Sequence, residues 1–422
     1  MTTLALLLIV LLAFFGQAQS ILIPGPDAKH EYKSAVAEFS LVDKTRKDPW
    51  DGEDRKIMIS LFMPIRVSSC SNECKHPYMG AETARIANEQ FFGDKNKVVF
   101  EKMSYMACCG ANQAIDASRI PVVVLEPHTD TSRLLYANLA RHMTANNVAV
   151  VLMDHPRDSA IVEFPGSTTA FNSGATGLSN FSPLTAWNET VTKAIDIRVQ
   201  DIKFALDSLK DARILAGKFP NIQFSSGLDT SRYSIVGHGL GGTVATSLSV
   251  SDPRVRFSIN LSGSAPPLDH NTNAAVYYIG RADYRREHDI NWASTWTHLT
   301  GPATEFDLND SDIFDFSDLP IIIELVQKEG GMPNLKGFKV GNSGPWGNHA
   351  VKCFVEGIIK NNLHGDHFGV SNCIRIFENR MIPYMAVGAK AVVDVAKESA
   401  GVARRTRFGA AIRHGLENWG II

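Results

Sequence analysis

Tyr233-Ser234-Ile235-Val236-Gly237-His238-Gly239-Leu240-Gly241-Gly242 reads as a short apolar strand, a tight turn and the start of a helix. This order is the setting of the nucleophile elbow, G-x-S-x-G, where small flanking residues let the chain turn sharply and the helix pack against the strand. Gly237, Gly241 and Gly242 meet those demands. The central position, where a hydroxyl would attack a carbonyl, is Gly239. A glycine-rich turn can also cradle a phosphate at a helix N-terminus. Here neither G-x-G-x-x-G in its dinucleotide-binding setting nor G-x-x-x-x-G-K-[ST] is met.

The flanking segments repeat the alternation. Ile120–Glu126 and Val148–Met153 are short apolar runs, the mark of strands buried on both faces. Between them Ser132–Ala145 has helical spacing, with Ser132 as N-cap. Thr190–Leu215 places Ile195, Val199, Ile202, Leu206 and Leu209 on one helical stripe. Strands are predicted at Lys56–Ile65, Phe257–Leu261, Ala275–Ile279 and Thr304–Leu308. Helices are predicted at Gly242–Ser249, Leu319–Gln327, Asn348–Asn361 and within 380–399. Residues 21–55 read as loop, 66–119 as irregular and 164–185 as a long loop. Alternating strands and helices predict an α/β fold with one mostly parallel sheet covered by helices on both faces.

The chain has 422 residues, with 42 Lys+Arg against 44 Asp+Glu and a formal charge of −2. Hydrophobic residues at 44% and charged residues at 20% are ordinary globular usage, which excludes disorder, collagen and coiled coil. The balanced charge argues against a nucleic-acid binder. No internal run reaches the length of a membrane span. The apolar run Leu4–Phe15 followed by Ala18-Gln19-Ser20 reads as a signal peptide over 1–20, hence a secreted protein without a stable membrane anchor. Residues 21–400 read as one domain and 401–422 as a basic tail.

Six cysteines in a secreted chain predict up to three disulfides. Cys353 is expected to pair with Cys373, and Cys70/Cys74 with Cys108/Cys109. Cys70 and Cys74 lack a matching second pair for zinc. His364-Gly365-Asp366-His367 is too sparse for a metal site, so no cofactor is implied. Sequons stand at Asn180, Asn188, Asn260 and Asn309. Asn260 falls in an apolar run and is expected to be buried and unmodified.

Several stretches together resemble the secreted fungal branch of the platelet-activating factor acetylhydrolase-like family of α/β-hydrolases. Tyr78-Met-Gly80-Ala-Glu-Thr83-Ala84 is similar to the family's PYMPP-x-TA segment. Asp154-His155-Pro156 running to Val162-Glu163-Phe164-Pro165 resembles DHPYD…VEFP. Arg198-Val-Gln-Asp201 to Asp207 resembles the helix before the elbow. Ser132–Tyr136, Asp252–Val255, Ile259–Leu261, Trp292–Trp296 and Asp318–Pro320 extend the likeness over roughly residues 56–365. The resemblance implies the α/β-hydrolase fold. It places the family's serine at Gly239, its acid at Ser262 and its histidine at Ile313, with Asp312 and Phe314 as neighbours. A triad works as a unit, so the resemblance implies a degenerate triad pocket around His238, Gly239, Ser262 and Ile313.

One departure adds chemistry. Where the family's oxyanion loop runs S-P-G-x-G, this chain has Glu126-Pro127-His128-Thr129-Asp130. Glu126, His128 and Asp130 are therefore expected to face the old pocket as an acid/base cluster. The expected function is a repurposed non-hydrolytic enzyme of lyase, isomerase or cyclase type acting on a lipophilic small molecule. The alternatives are a non-catalytic pseudoenzyme that binds a lipid-like ligand or a protein partner, and an esterase or lipase with relocated catalytic residues.

Overall fold

The computed structural model describes residues 20–26, 28–166, 168–174, 189–308, 310–331, 340–342, 344–366, 368–378 and 384–390. The predicted signal peptide up to residue 19, the tail 401–422 and the sequons at Asn180, Asn188 and Asn309 lie outside them.

Fourteen strands are described: β1 (Ile21–Leu22), β2 (Tyr32–Lys47), β3 (Asp54–Arg66), β4 (Cys70–Pro77), β5 (Met103–Ala111), β6 (Val122–Glu126), β7 (Ala149–Asp154), β8 (Ile161–Phe164), β9 (Thr168–Phe171), β10 (Tyr233–His238), β11 (Val255–Leu261), β12 (Val276–Arg281), β13 (Ala303–Leu308) and β14 (Tyr384–Lys390). Nine form the central sheet in the order β14-β13-β12-β11-β10-β6-β7-β3-β2. The six strands from β13 to β7 run parallel, while β2, β3 and β14 are antiparallel to their neighbours.

The runs Val122–Leu125 of β6 and Ala149–Met153 of β7 are apolar at every position because both faces are covered. Val123, Leu125, Val150 and Leu152 pack into one core layer with helices Ala81–Phe92, Ala137–Thr144, Leu319–Lys328 and Pro345–Ile359. Val122, Val124, Ala149 and Val151 pack into the other with helices Glu189–Ser208 and Leu240–Ser251. Each such side chain contributes roughly 1.5–3 kcal/mol of burial. From β6 the chain moves outward to β7, and from β10 it moves outward the other way to β11. The β6/β10 boundary is thus the point where strand order reverses, the crevice where open α/β sheets bind ligands.

Four local expectations are corrected. Residues 21–55 are not loop: β2 spans sixteen of them as an edge strand. Its buried residues alternate at Ala35, Ala37 and Phe39, but two are small, and the intervening Val36 and Glu38 are half-buried rather than a clean polar face. Residues 66–119 are not irregular: they hold β4, the helix Ala81–Phe92 and β5. The helix Thr190–Leu215 is interrupted, ending at Ser208 and resuming at Ala212 with Asp211 as its cap. Within 380–399, where helix was expected, residues 384–390 form β14 against β13, and the rest lies outside the described residues.

The disulfides follow expectation. Cys70–Cys108 and Cys74–Cys109 clamp β4 to β5, and Cys353–Cys373 ties two helices. Asn260 is fully buried, its amide donating to Thr246 Oγ1 and the Ser264 carbonyl.

Candidate active site

The elbow forms at the end of β10. Gly239 turns the chain at φ 55°, ψ −119°, and the helix Leu240–Ser251 starts at once. A Cβ on Gly237 would lie 2.0 Å from the Gly241 carbonyl oxygen, so no larger residue fits where the helix folds back.

Space above Gly239 is taken by His128. A Cβ at position 239 would come within 2.4 Å of His128 Nδ1 and 2.6 Å of its Cγ. The imidazole therefore fills the volume that a side chain at the elbow would use. Its Nδ1 accepts from the Thr129 backbone N–H at 2.8 Å and from the Leu240 backbone N–H at 3.4 Å. The N–H after the elbow and one from the loop after β6 are the two donors that form an oxyanion hole in this topology. Both point at one acceptor, a ring nitrogen. Accepting at Nδ1 fixes the neutral ring as its Nε2–H tautomer. Burial, reinforced by the nearby charges of Arg198 and Arg281, pulls the His128 pKa down to about 3.

A second histidine lies beside it. The His238 ring is 5.1 Å from His128 and stacks on Phe316. Its Nδ1 is 2.8 Å from the Tyr136 hydroxyl, which also accepts from the His128 backbone N–H. The phenol proton is therefore directed to His238 Nδ1. His238 Nε2 lies toward the Ile313 backbone but makes no hydrogen bond of normal geometry among the described residues. Burial, then His128 and Arg281, hold its pKa well below the ordinary histidine value.

The other two expected positions converge here. Ser262 follows β11 in the left-handed region at φ 54°, next to Gly263, which packs on the Gly239 carbonyl. Its hydroxyl accepts from Arg281 at the end of β12. Arg281 is itself paired with Asp283 at 2.7 Å. A guanidinium thus touches the position where the resemblance placed a carboxylate. Ile313 opens the short helix Ile313–Phe316 against His238.

The expected Glu126/His128/Asp130 cluster does not assemble. Glu126 points away from His128 and accepts from His155 Nε2 at 2.9 Å, with Arg198 at 3.5 Å. Asp130 turns the loop at φ 55°, its N–H donating to the Asp158 carbonyl. The reason is where the strand stops: in a continuing strand Glu126 and His128, two residues apart, would share a face, but β6 ends at Glu126, and Pro127 and the turn at Asp130 take His128 out of that alternation.

Glu126 instead belongs to a buried chain of alternating charges. Asp48 pairs with Arg55, Arg55 with Asp201, Asp201 with His155 Nδ1, His155 with Glu126, and Arg198 with both Glu126 and Asp158. Asp158 also accepts from the Thr129 hydroxyl, and Arg198 donates to the Pro127 carbonyl. Burial depresses the His155 pKa, but Glu126 and Asp201 outweigh it and raise it to about 9. This chain pins residues 126–130 from behind and so holds His128 over Gly239.

Sequence reasoning missed Tyr136, Arg198 and Arg281. Arg198 was detectable: it lies three positions from Ile195 and four from Ile202, on the buried stripe of its helix. A charge on an apolar stripe signals a buried partner. Arg281 carried no such signal. Among the described residues no group of three or more His, Cys, Asp or Glu could hold a metal ion, and no helix is long and apolar enough to cross a membrane.

The family profile described as platelet-activating factor acetylhydrolase, isoform II, matches residues 86–329. A protein of Arthroderma benhamiae, named as a probable 1-alkyl-2-acetylglycerophosphocholine esterase, is 26% identical over 328 residues, covering 72% of this chain and 78% of that one. A ferulic acid esterase from Streptomyces cinnamoneus superposes with a TM-score of 0.64 at 23% identity, covering 82% of this chain and 94% of its own. This last likeness concerns the fold and agrees with the α/β-hydrolase expectation. The acetylhydrolase profile and the esterase relative overturn the expected non-hydrolytic or non-catalytic role and point to hydrolysis. That expectation equated a missing serine with missing hydrolysis. An oxyanion hole and a base can act on water directly.

Proposed function

Because the chain belongs to the platelet-activating factor acetylhydrolase isoform II family, we propose that it is an ester hydrolase with relocated catalytic residues, acting on lipophilic esters with a short acyl group. The relative's name supplies the nearest substrate type, a 2-acetyl ester of an alkyl glycerophosphocholine.

One observation carries the reading: His128 Nδ1 occupies the point where the Thr129 and Leu240 N–H groups converge. In the proposed reaction the ester carbonyl oxygen takes that place as the imidazole swings aside. Freed of both donors, the ring becomes a base. It takes a proton from water, whose oxygen bonds to the carbonyl carbon. The negative charge that develops on the carbonyl oxygen is held by the two N–H groups, with Arg281 adding positive potential. The carbon–oxygen bond to the alcohol then breaks, and the imidazolium returns its proton to the departing alkoxide. With Gly239 at the elbow and Ser262 and Ile313 at the other two positions, no acyl-enzyme on residue 239 is involved. Glu126 and Asp130 position the loop, while His238 and Tyr136 orient the backbone of His128.

The test is hydrolysis of p-nitrophenyl acetate and of the 2-acetyl alkyl glycerophosphocholine, with and without prior exposure to a fluorophosphonate. The expected result is turnover that survives the fluorophosphonate and is lost in His128→Ala. A serine carrying the phosphonate label, or no turnover of either ester, sinks the reading.

Export is part of the same proposal. The signal-like segment 1–20 and three disulfides, which need an oxidising compartment, support it. N-terminal sequencing of protein recovered from culture medium, with Ile21 expected first, checks it.

A further inference from the structure

A cavity lies away from Gly239 and shares no residue with the site there. It measures about 330 Å³ and is walled by Leu22, Ile23 and Pro24 on one side and Met106 and Ala107 on the other. Into it points Arg141, near the end of the helix Ala137–Thr144 and only 4% exposed.

Arg141 is unlike the other deeply buried arginines. Arg55, Arg133 and Arg198 each pair with a buried carboxylate. The Arg141 guanidinium has weak hydrogen bonds to the carbonyls of Ile23 and Pro24, at 3.5 and 3.3 Å, and lies over the Tyr105 ring at 4.8 Å. Among the described residues no carboxylate is within ion-pair range. The charged groups on the cavity wall are already committed: Lys33 pairs with Glu73, and His30 with Glu356. Arginine does not lose its proton in proteins, and a buried charge without a counter-ion is costly.

We propose that this cavity is a binding site for a small amphipathic carboxylate, its head paired with the Arg141 guanidinium and its tail along Leu22, Ile23 and Met106. A planar carboxylate matches the guanidinium fork. The apolar walls suit an aliphatic tail, and a single unpaired cation suits one negative charge.

The experiment is isothermal titration calorimetry of the full chain with sodium octanoate. 1-Octanol serves as the tail without the charge, and sodium acetate as the charge without the tail. The expected result is one octanoate per chain, with octanol and acetate each at least about tenfold weaker, a difference of roughly 1.4 kcal/mol. Arg141→Met keeps the packing and removes the unpaired charge. It is expected to melt at or above the wild-type temperature while octanoate affinity falls at least about tenfold. If that variant fails to fold, Met106→Trp, which fills the cavity and leaves Arg141 in place, is expected to abolish octanoate binding. Equal binding of octanoate and octanol, or octanoate affinity unchanged in either folded variant, overturns the proposal, as does no octanoate binding to the wild type.

Discussion

The imidazole of His128 lies over Gly239 and excludes any side chain at position 239: a Cβ there would stand 2.4 Å from Nδ1. The elbow forms without a side chain at its tip, and the volume above it is filled by a residue from a different loop.

This exclusion should be measurable as coupling. Gly239→Ser is expected to destabilise by about 1–3 kcal/mol, because a non-glycine residue must take the positive φ and displace the ring. In a His128→Gly background the same change should cost less. A urea-denaturation double-mutant cycle is expected to give a coupling of at least about 1 kcal/mol. Additive effects would place the ring elsewhere.

Replacing His128 by Ala should lower ester hydrolysis by about 10²- to 10⁴-fold, the usual contribution of a positioned base. His128→Gln tests the geometry separately. Its amide oxygen can accept from Thr129 and Leu240, so it should keep the fold yet share the loss of turnover. Initial rates on p-nitrophenyl acetate compare the three proteins.

Arg281 tunes both histidines. Its charge pushes the His128 and His238 pKa values down, after burial itself. Arg281→Met is therefore expected to move the His128 titration upward from about 3. Its imidazole resonance in histidine-labelled protein gives the midpoint directly. A midpoint that stays in place would mean that burial and Arg198 set it.

His155 gives a stability test with a definite sign. Its pKa is raised from 6.5 to about 9 by Glu126 and Asp201 against the effect of burial. The folded state therefore holds the proton more tightly than the unfolded chain. The resulting stability, on the order of 3 kcal/mol, is fully present below about pH 6.5 and fades as pH rises through 9. Chemical denaturation at pH 6 and pH 9.5 should show the loss in wild type and a much smaller one in His155→Gln.

Glu305 and Asp307, buried on β13, add to the same trend. Burial raises both pKa values to about 7, with Arg286 countering it at Glu305, and Glu305 adding to it at Asp307. Each carboxylate is protonated more readily in the folded state, so its cost to stability builds as pH rises from the ordinary carboxylate range through about 7 and is complete above it. Glu305→Gln is expected to raise the melting temperature at pH 8 and change it little at pH 5.

Much of the architecture was legible because it rests on local signals. Val122–Leu125 and Val150–Met153 are apolar at every position, which only a doubly covered strand tolerates. The glycines of 237–242 announced the turn, since only small residues survive contacts near 2 Å. Edge strand β2 was hidden because it is only partly covered and two of its three alternating buried residues, Ala35 and Ala37, are small. At the site, residue types and neighbourhood were readable: His128 does lie over Gly239. Side-chain direction was not. Glu126 turns to His155 and His128 to the elbow only because β6 stops at Glu126 and its alternation ends there, and Arg281 reaches Ser262 only through pairing of β11 with β12. Such contacts join distant parts of the chain and leave no periodic trace.

The buried row from Asp48 through Arg55, Asp201, His155, Glu126 and Arg198 to Asp158 has a consequence for descent. Losing any member strands an odd charge in the interior, which is costly, so a change at one position calls for a complementary change at its partner. These positions should drift as a block across related chains, with lineages keeping or replacing the row together. The perch from which His128 covers Gly239 would then be inherited whole or not at all.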